Sequence, residues 1–423
     1  TLSCGDANKA LSSSSNGLEK RPRLRFPGFD EPWKVVELSS VLKERNEFAE
    51  KDGSFEHTTL SKDGIFGKTA RYDRDFLVST ENKKYKVTHI NDLCYNPANL
   101  KFGVICLNKY GDAIFSPIYV TFEIQSDYDA DFVGENLSRW DFINKALRYQ
   151  QGTVYERMAV SPEDFLSIKC YMPSKREQEK LSRFIGLLDE KIVSQQKYID
   201  NLKKYKRGVS NAIFSRKIRF KQKDGTEYPE WDTKQLSELM EFKNGVNAQK
   251  DAFLKGNIKC IGVSDVYSGK PIYSCNIMGS IKLDSDQKRE FLVEYGDVLF
   301  QRSSETQEDI GHAAVYVDES QMSVFNGFVI RGKKKAEYDP WFLHYELQTS
   351  DVRKQTIRLG AGAQHYNIGQ ESLASIIVRL PSADEQNKIA HLLKSIDARI
   401  TVEKSKIKTL QMAKDGLMQK LFV

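Results

Sequence analysis

Asn96-Pro97-Ala98-Asn99 comes closest, in residue type and spacing, to a catalytic motif. Amino-methyltransferases use an Asn-Pro-Pro-aromatic segment whose ring stacks a flipped base. Asn99 offers no ring, and no glycine-rich strand-to-helix cofactor loop precedes the segment, so methyl transfer by this chain is discounted. Gly360-Ala361-Gly362 lacks the third glycine and the βαβ setting of a dinucleotide site. The sequence has no phosphate-binding P-loop, and its six histidines lack metal-ligand spacing. Asp189-Glu190-Lys191 resembles a nuclease fragment, but it lies in a helical pattern with no second carboxylate strand.

A different chemistry suits the polar loops. Reading bases needs Arg, Lys, Asn, Gln or Ser on exposed loops, with basic and aromatic neighbours for phosphates. Gln301-Arg302-Ser303-Ser304 and Gln364-His365-Tyr366-Asn367 fit this requirement, the second after a glycine loop. Their counterparts nearer the start are Asn96 to Lys101, including Asn99, and Thr153 to Arg157, including Tyr155, after Gly152. Lys62, Lys68, Arg71 and Arg74 make a further basic, glycine-broken loop. Any one of these also reads as an ordinary solvated loop; as a set they point to DNA. The run Lys203, Lys204, Lys206, Arg207 reads as a solvated helix face.

The elements that must position these loops repeat. Residues 172–215 superpose on 380–423 without a gap, at a constant offset of 208. Pro173, Ser174, Glu177, Gln178, Asp189 and Gly208 recur as Pro381, Ser382, Glu385, Gln386, Asp397 and Gly416. So long a period means two similar halves. Leu181, Ile185, Leu188, Ile192, Ile199, Leu202, Val209 and Ile213 step by fours and threes, as do their counterparts from Ile389 to Leu421. This is a coiled-coil seam. Its polar rungs are Gln195 and Lys206, Glu403 and Lys414; the lysines are expected to lay their stems along the seam with their ammonium groups in water. Ser174 and Ser382, each three residues before a glutamate, predict capping boxes. At about 1.5 Å per residue each rod runs about 60 Å. Gly208 and Gly416 suggest a close approach or a bend. The heptads leave parallel and antiparallel pairing open.

The chain has 423 residues, net charge +6 and 29% charged residues, a composition that permits a polyanionic partner. It contains no apolar run of membrane-spanning length. Six cysteines without a CxxC pair read as reduced thiols of a cytoplasmic protein. Residues 1–24 read as a flexible leader, 25–173 and 218–381 as two mixed α/β domains, and 174–217 and 382–423 as the rods. Trp33 with Leu38 echoes Trp231 with Leu236, and Glu163 to Ile168 echoes Glu371 to Ile376. Strands are predicted at 104–107, 114–122, 297–300, 313–317 and 324–330, and helices at 132–149 and 341–357.

This layout resembles the specificity (S) subunit of type I restriction–modification systems. The resemblance rests on Arg25-Phe26-Pro27-Gly28-Phe29 ahead of Trp33, the paired Glu-Gln rod starts, and Tyr95-Asn96-Pro97-Ala98-Asn99-Leu100. It implies two mixed α/β target-recognition domains separated by two long helices in an intramolecular antiparallel coiled coil, with pseudo-two-fold character. It implies a non-catalytic subunit that reads a bipartite, asymmetric double-stranded DNA target. It also implies docking of two methyltransferase (M) subunits and of restriction (R) subunits. Those partners, not this chain, would use S-adenosylmethionine, ATP and Mg. The alternative reading is a self-sufficient adenine-N6 DNA methyltransferase.

Overall fold

The computed structural model describes residues 21–51, 53–68, 84–151, 158–247, 256–362 and 364–423. Most of the expected leader, Arg71, Arg74, Tyr155 and Arg157 lie outside the described residues. The chain divides into two compact units. One combines the chain up to Gln195 with Lys406–Val423, and the other is Gln196–Ser405.

Two long helices, Lys175–Phe214 and Ala383–Leu421, contribute to both units. Their 40 and 39 residues follow from the heptad spacing, and the seam has the expected phase. Leu181, Ile185, Ile199 and Ile213 are buried, as are Ile389, Leu393, Ile396, Ile400, Ile407 and Leu421. In the first unit the opening turns of the first helix meet the closing turns of the second. There Leu181 and Ile185 share a core with Leu421 and Phe422. In the second unit the closing turns of the first helix meet the opening turns of the second, where Ile213 and Phe214 share a core with Ile389 and Leu393. Each unit therefore holds its two helical segments antiparallel.

The polar rungs differ from expectation. Lys414 Nζ donates to both Asp189 oxygens and Lys206 Nζ to both Asp397 oxygens, all at 2.7 Å. The ammonium groups are thus paired rather than left to water, because the repeat that supplies each lysine also supplies a carboxylate opposite it. The close approach suggested at Gly208 and Gly416 is absent: a Cβ there would meet nothing within 4 Å, and each helix runs on through its glycine.

The capping boxes are not formed either. Glu177 gives its two oxygens to Arg25 Nε and Nη2, at 2.8 and 2.7 Å. Glu385 accepts from Arg219 Nη2 at 3.0 Å and Trp231 Nε1 at 3.1 Å, while the Ser382 hydroxyl is buried without a partner. A bidentate charge-assisted pair outcompetes a backbone cap for the same carboxylate. The neighbouring glutamines clamp the domains. Gln178 donates to Pro173 O and accepts from Asp129 N; Gln386 donates to Pro381 O and accepts from Asp339 N. Asp129 and Asp339 in turn cap the helices Ala130–Leu137 and Pro340–Glu346.

Each domain opens and closes on one antiparallel pair: Lys34–Glu37 with Lys169–Met172, and Asp232–Gln235 with Ile377–Leu380. Leu38 N to Ile168 O, and Leu236 N to Ile376 O, continue both pairs at 2.9 Å. This accounts for the echoed Trp-to-Leu starts and Glu-to-Ile ends. Next comes a four-stranded central sheet. Its order is 42–44, 120–124, 93–95, 105–107 in the first unit and 240–244, 329–334, 298–301, 313–315 in the second. A distal sheet follows in each. Both distal sheets contain a parallel pair, Glu56–Ser61 with Ala113–Phe115 and Ile258–Ile261 with Ser323–Phe325. The chain crosses from the distal to the central sheet through residues 116–119 and 326–328. The strands predicted at 114–122 and 324–330 are each broken at these crossovers. The helices predicted at 132–149 and 341–357 are each broken once, ahead of Trp140 and Ser350.

Candidate nucleic-acid interface

In the second unit the central strand Val298–Gln301 delivers its end to the predicted reading loop. Gln301 is buried and its Nε2 donates to Ser303 O, bracing the turn. Ser303 and Ser304 pair with Asn367 and Tyr366, so the two loops predicted separately form one short antiparallel ribbon. Ser303 Oγ donates to Asn367 Oδ1 at 2.5 Å, and Ile368 N donates to Arg302 O at 3.0 Å. An Ala361–Asn367 bridge closes the loop between them. Gly362 is required in it: φ is +149°, and a Cβ would fall 1.9 Å from His365 O. Gln364, His365 and Asn367 are exposed, while Arg302, Ser303, Ser304 and Tyr366 are half-buried. Arg302 N donates to Phe328 O at 3.0 Å and Arg302 Nη1 to Gly327 O, which ties the crossover turn to the ribbon. Past Ser304, the Thr306 hydroxyl on Asp309 holds that carboxyl below its ordinary range.

The first unit repeats this arrangement with other residues. Asn96 is buried, and its Oδ1 accepts from Ala98 N and Asn99 N. It occupies the place of Gln301 and braces the loop, a position inside the fold rather than on the exposed edge that was expected. Val160 N donates to Pro97 O at 3.4 Å, as Ile368 N does to Arg302 O. A Gln151–Ala159 bridge closes the following loop, as Ala361–Asn367 does in the second unit. Asn99 and Lys101 are exposed, with Lys101 Nζ over the Phe102 ring, 5.2 Å from its centre. Lys62 and Lys68 lie elsewhere, on the distal hairpin Glu56–Gly67 and just past it; Lys62 is exposed, and Lys68 Nζ lies 3.3 Å from His57 Nε2.

Reasoning from polar side chains passed over two exposed apolar residues beside these loops, Ile118 and Phe328. Their signals were present: Ile118 follows Pro117, and Phe328 follows the turn dipeptide Asn326-Gly327. Among the described residues no group of three His, Cys, Asp or Glu could hold a metal ion, and no helix is long and apolar enough to cross a membrane.

Residues 228–412 match the family model described as the type I restriction modification DNA specificity domain. The chain is 25% identical over 269 residues to the type I restriction enzyme MjaVIII specificity subunit of Methanocaldococcus jannaschii, an alignment covering 62% of this chain and 63% of that protein. It is 22% identical over 290 residues to the putative MjaX specificity subunit of the same organism, covering 65% and 63%. The aligned region thus spans a little under two thirds of each relative. The fold is similar to that of a type I restriction–modification S subunit from M. genitalium, with a TM-score of 0.53 and 14% identity, covering 96% of this chain and 99% of that one. A structure described in a study of complex assembly and conformational transition in the type I system gives 0.56 at 14% identity, covering 94% and 98%.

Proposed function

We propose that the chain belongs with the type I restriction–modification specificity subunits and is the non-catalytic, DNA-reading scaffold of such a complex. Each unit would read one half of a split, asymmetric duplex target, with unspecified bases between. Two M subunits would dock on it and methylate adenine at N6, and R subunits would join them. S-adenosylmethionine, ATP and Mg would be used by those partners, in the cytoplasm where the DNA lies.

One observation carries this reading: the two units present loops held by the same hydrogen bonds but built from different side chains. Pro97 and Arg302, Ala159 and Asn367, Val160 and Ile368 occupy matching places. A shared scaffold with exchanged side chains is what two dissimilar half-sites require, since base edges are distinguished by donor, acceptor and methyl pattern. The test is co-expression with a cognate M subunit, followed by mapping of methylated adenines across the host genome. The expected result is a two-part motif with unequal halves; a short continuous motif would refute it. The self-sufficient methyltransferase predicts instead that the chain purified alone binds S-adenosylmethionine.

A further inference from the structure

Phe328 is 64% exposed and Ile118 is 59% exposed, although both are large apolar residues next to well-packed sheets. They occupy the same place in the two units. In the second unit the register Phe300 to Ile330 and Gln301 to Val329 continues to Arg302, whose N–H donates to Phe328 O. In the first, Tyr95 pairs with Val120, which carries the same register to Pro97 opposite Ile118. Pro97 and Arg302 are already equivalent through the bonds from Val160 N and Ile368 N. Both apolar residues therefore sit at the crossover from distal to central sheet, one strand position from the loop expected to read bases.

Single exposed apolar side chains occur elsewhere on the chain, Phe66 and Phe102 among them; these two are set apart by occupying the matching slot in both units. Both turns are pinned. Asn326 Oδ1 accepts from Phe328 N, and Tyr119 N donates to Ser116 O. Opposite Phe328 is Arg302, next in chain to Ser303, which pairs with Asn367; opposite Ile118 is Pro97, two residues before the exposed Asn99. An apolar tip beside hydrogen-bonding groups matches the major-groove edge of a base pair, where the thymine C5-methyl is the apolar mark among donors and acceptors.

Building on the two-reader function, we propose that Phe328 and Ile118 are specificity-determining residues, each packing on the apolar edge of a base in its own unit's half-site. The side-chain difference, a flat ring against a branched chain, then contributes to the inequality of the halves.

The test uses the full chain co-expressed with its M subunit and genome-wide mapping of methylated adenine, in wild type, Phe328→Ser, Phe328→Tyr and Ile118→Ser. Phe328→Ser is expected to raise methylation about tenfold at sites differing by one base in one half, as loss of one apolar contact does in other recognition sites. Phe328→Tyr keeps the ring and retains the motif. Ile118→Ser relaxes the other half. A split motif that is unaltered in both serine variants overturns the inference while leaving the function standing. So does a uniform fall in methylation at every site, which marks a structural or phosphate-side role. Absence of a split motif in the wild type overturns the function and the inference together. Because the two positions are tested independently, misfolding of one variant leaves the other decisive.

Discussion

Glu385 is 0% exposed and bonded to Arg219 and Trp231, so its removal leaves a buried indole N–H unpaired and takes from Arg219 its buried carboxylate, leaving it Glu230 and Pro229 O. Glu385→Ala is expected to cost about 3 kcal/mol in urea unfolding, the scale for breaking a buried pair. Glu346 behaves differently. Burial raises its carboxyl from 4.5 to about 7, against the opposing bond from Arg379 N. The folded chain therefore holds a proton there that the unfolded chain releases near 4.5. The contribution of Glu346 to stability is full below that value and is lost as pH rises to about 7, beyond which it is level. Over that window the loss is about 3 kcal/mol. Glu346→Gln should flatten this part of a stability-against-pH curve, and an unchanged slope would refute the assignment. The repeated Glu-Gln pair was legible in the sequence. Its work was not, because Arg25 lies 152 residues from Glu177 and Gln178 caps through a backbone N–H that no side-chain pattern marks.

At the scale of elements, the long helices were the most legible part, since a periodicity sustained over some forty residues has no competing explanation. Their glycines suggested a close approach or a bend, and the close approach is absent. With open space at each Cβ, Gly208→Ala and Gly416→Ala should each stabilise the protein by about 1 kcal/mol, the helix-interior difference between the two residues. A rise in thermal midpoint checks this, and a fall would show that the bare backbone is needed after all. The paired lysines matter less. Their side chains remain 21–26% exposed, so the pairs with Asp189 and Asp397 add about 1 kcal/mol or less and act mainly on register. The strands were found but run together across the crossovers, where the turn residues Pro117 and Asn326-Gly327 were passed over between apolar neighbours.

For the molecule as a whole, the constant offset of 208 exposed the doubling of the rods, but the equivalence of the reading loops was hidden. Trp33 and Trp231 differ by 198, Pro97 and Arg302 by 205, and Ile118 and Phe328 by 210. In the second unit Arg302 lies 71 residues beyond Trp231, where in the first Pro97 lies 64 beyond Trp33, and among the described residues the distal sheets differ too, three strands against five. Only hydrogen bonds recover the correspondence. If the long helices set the gap between the two half-sites, adding about one turn to both should lengthen the unspecified gap in the mapped motif and leave both halves unchanged. An altered half-site would refute the spacer.

The first unit takes Lys406–Val423 into its core, where Leu421 and Phe422 pack with Trp33 and Phe132. Those residues leave the ribosome after all of Gln196–Ser405, whereas the second unit is one unbroken stretch. The earlier-made domain must therefore wait, with its aromatic cavity unfilled, while the later one completes itself, and any premature stop beyond residue 405 would spare the second fold and orphan the first.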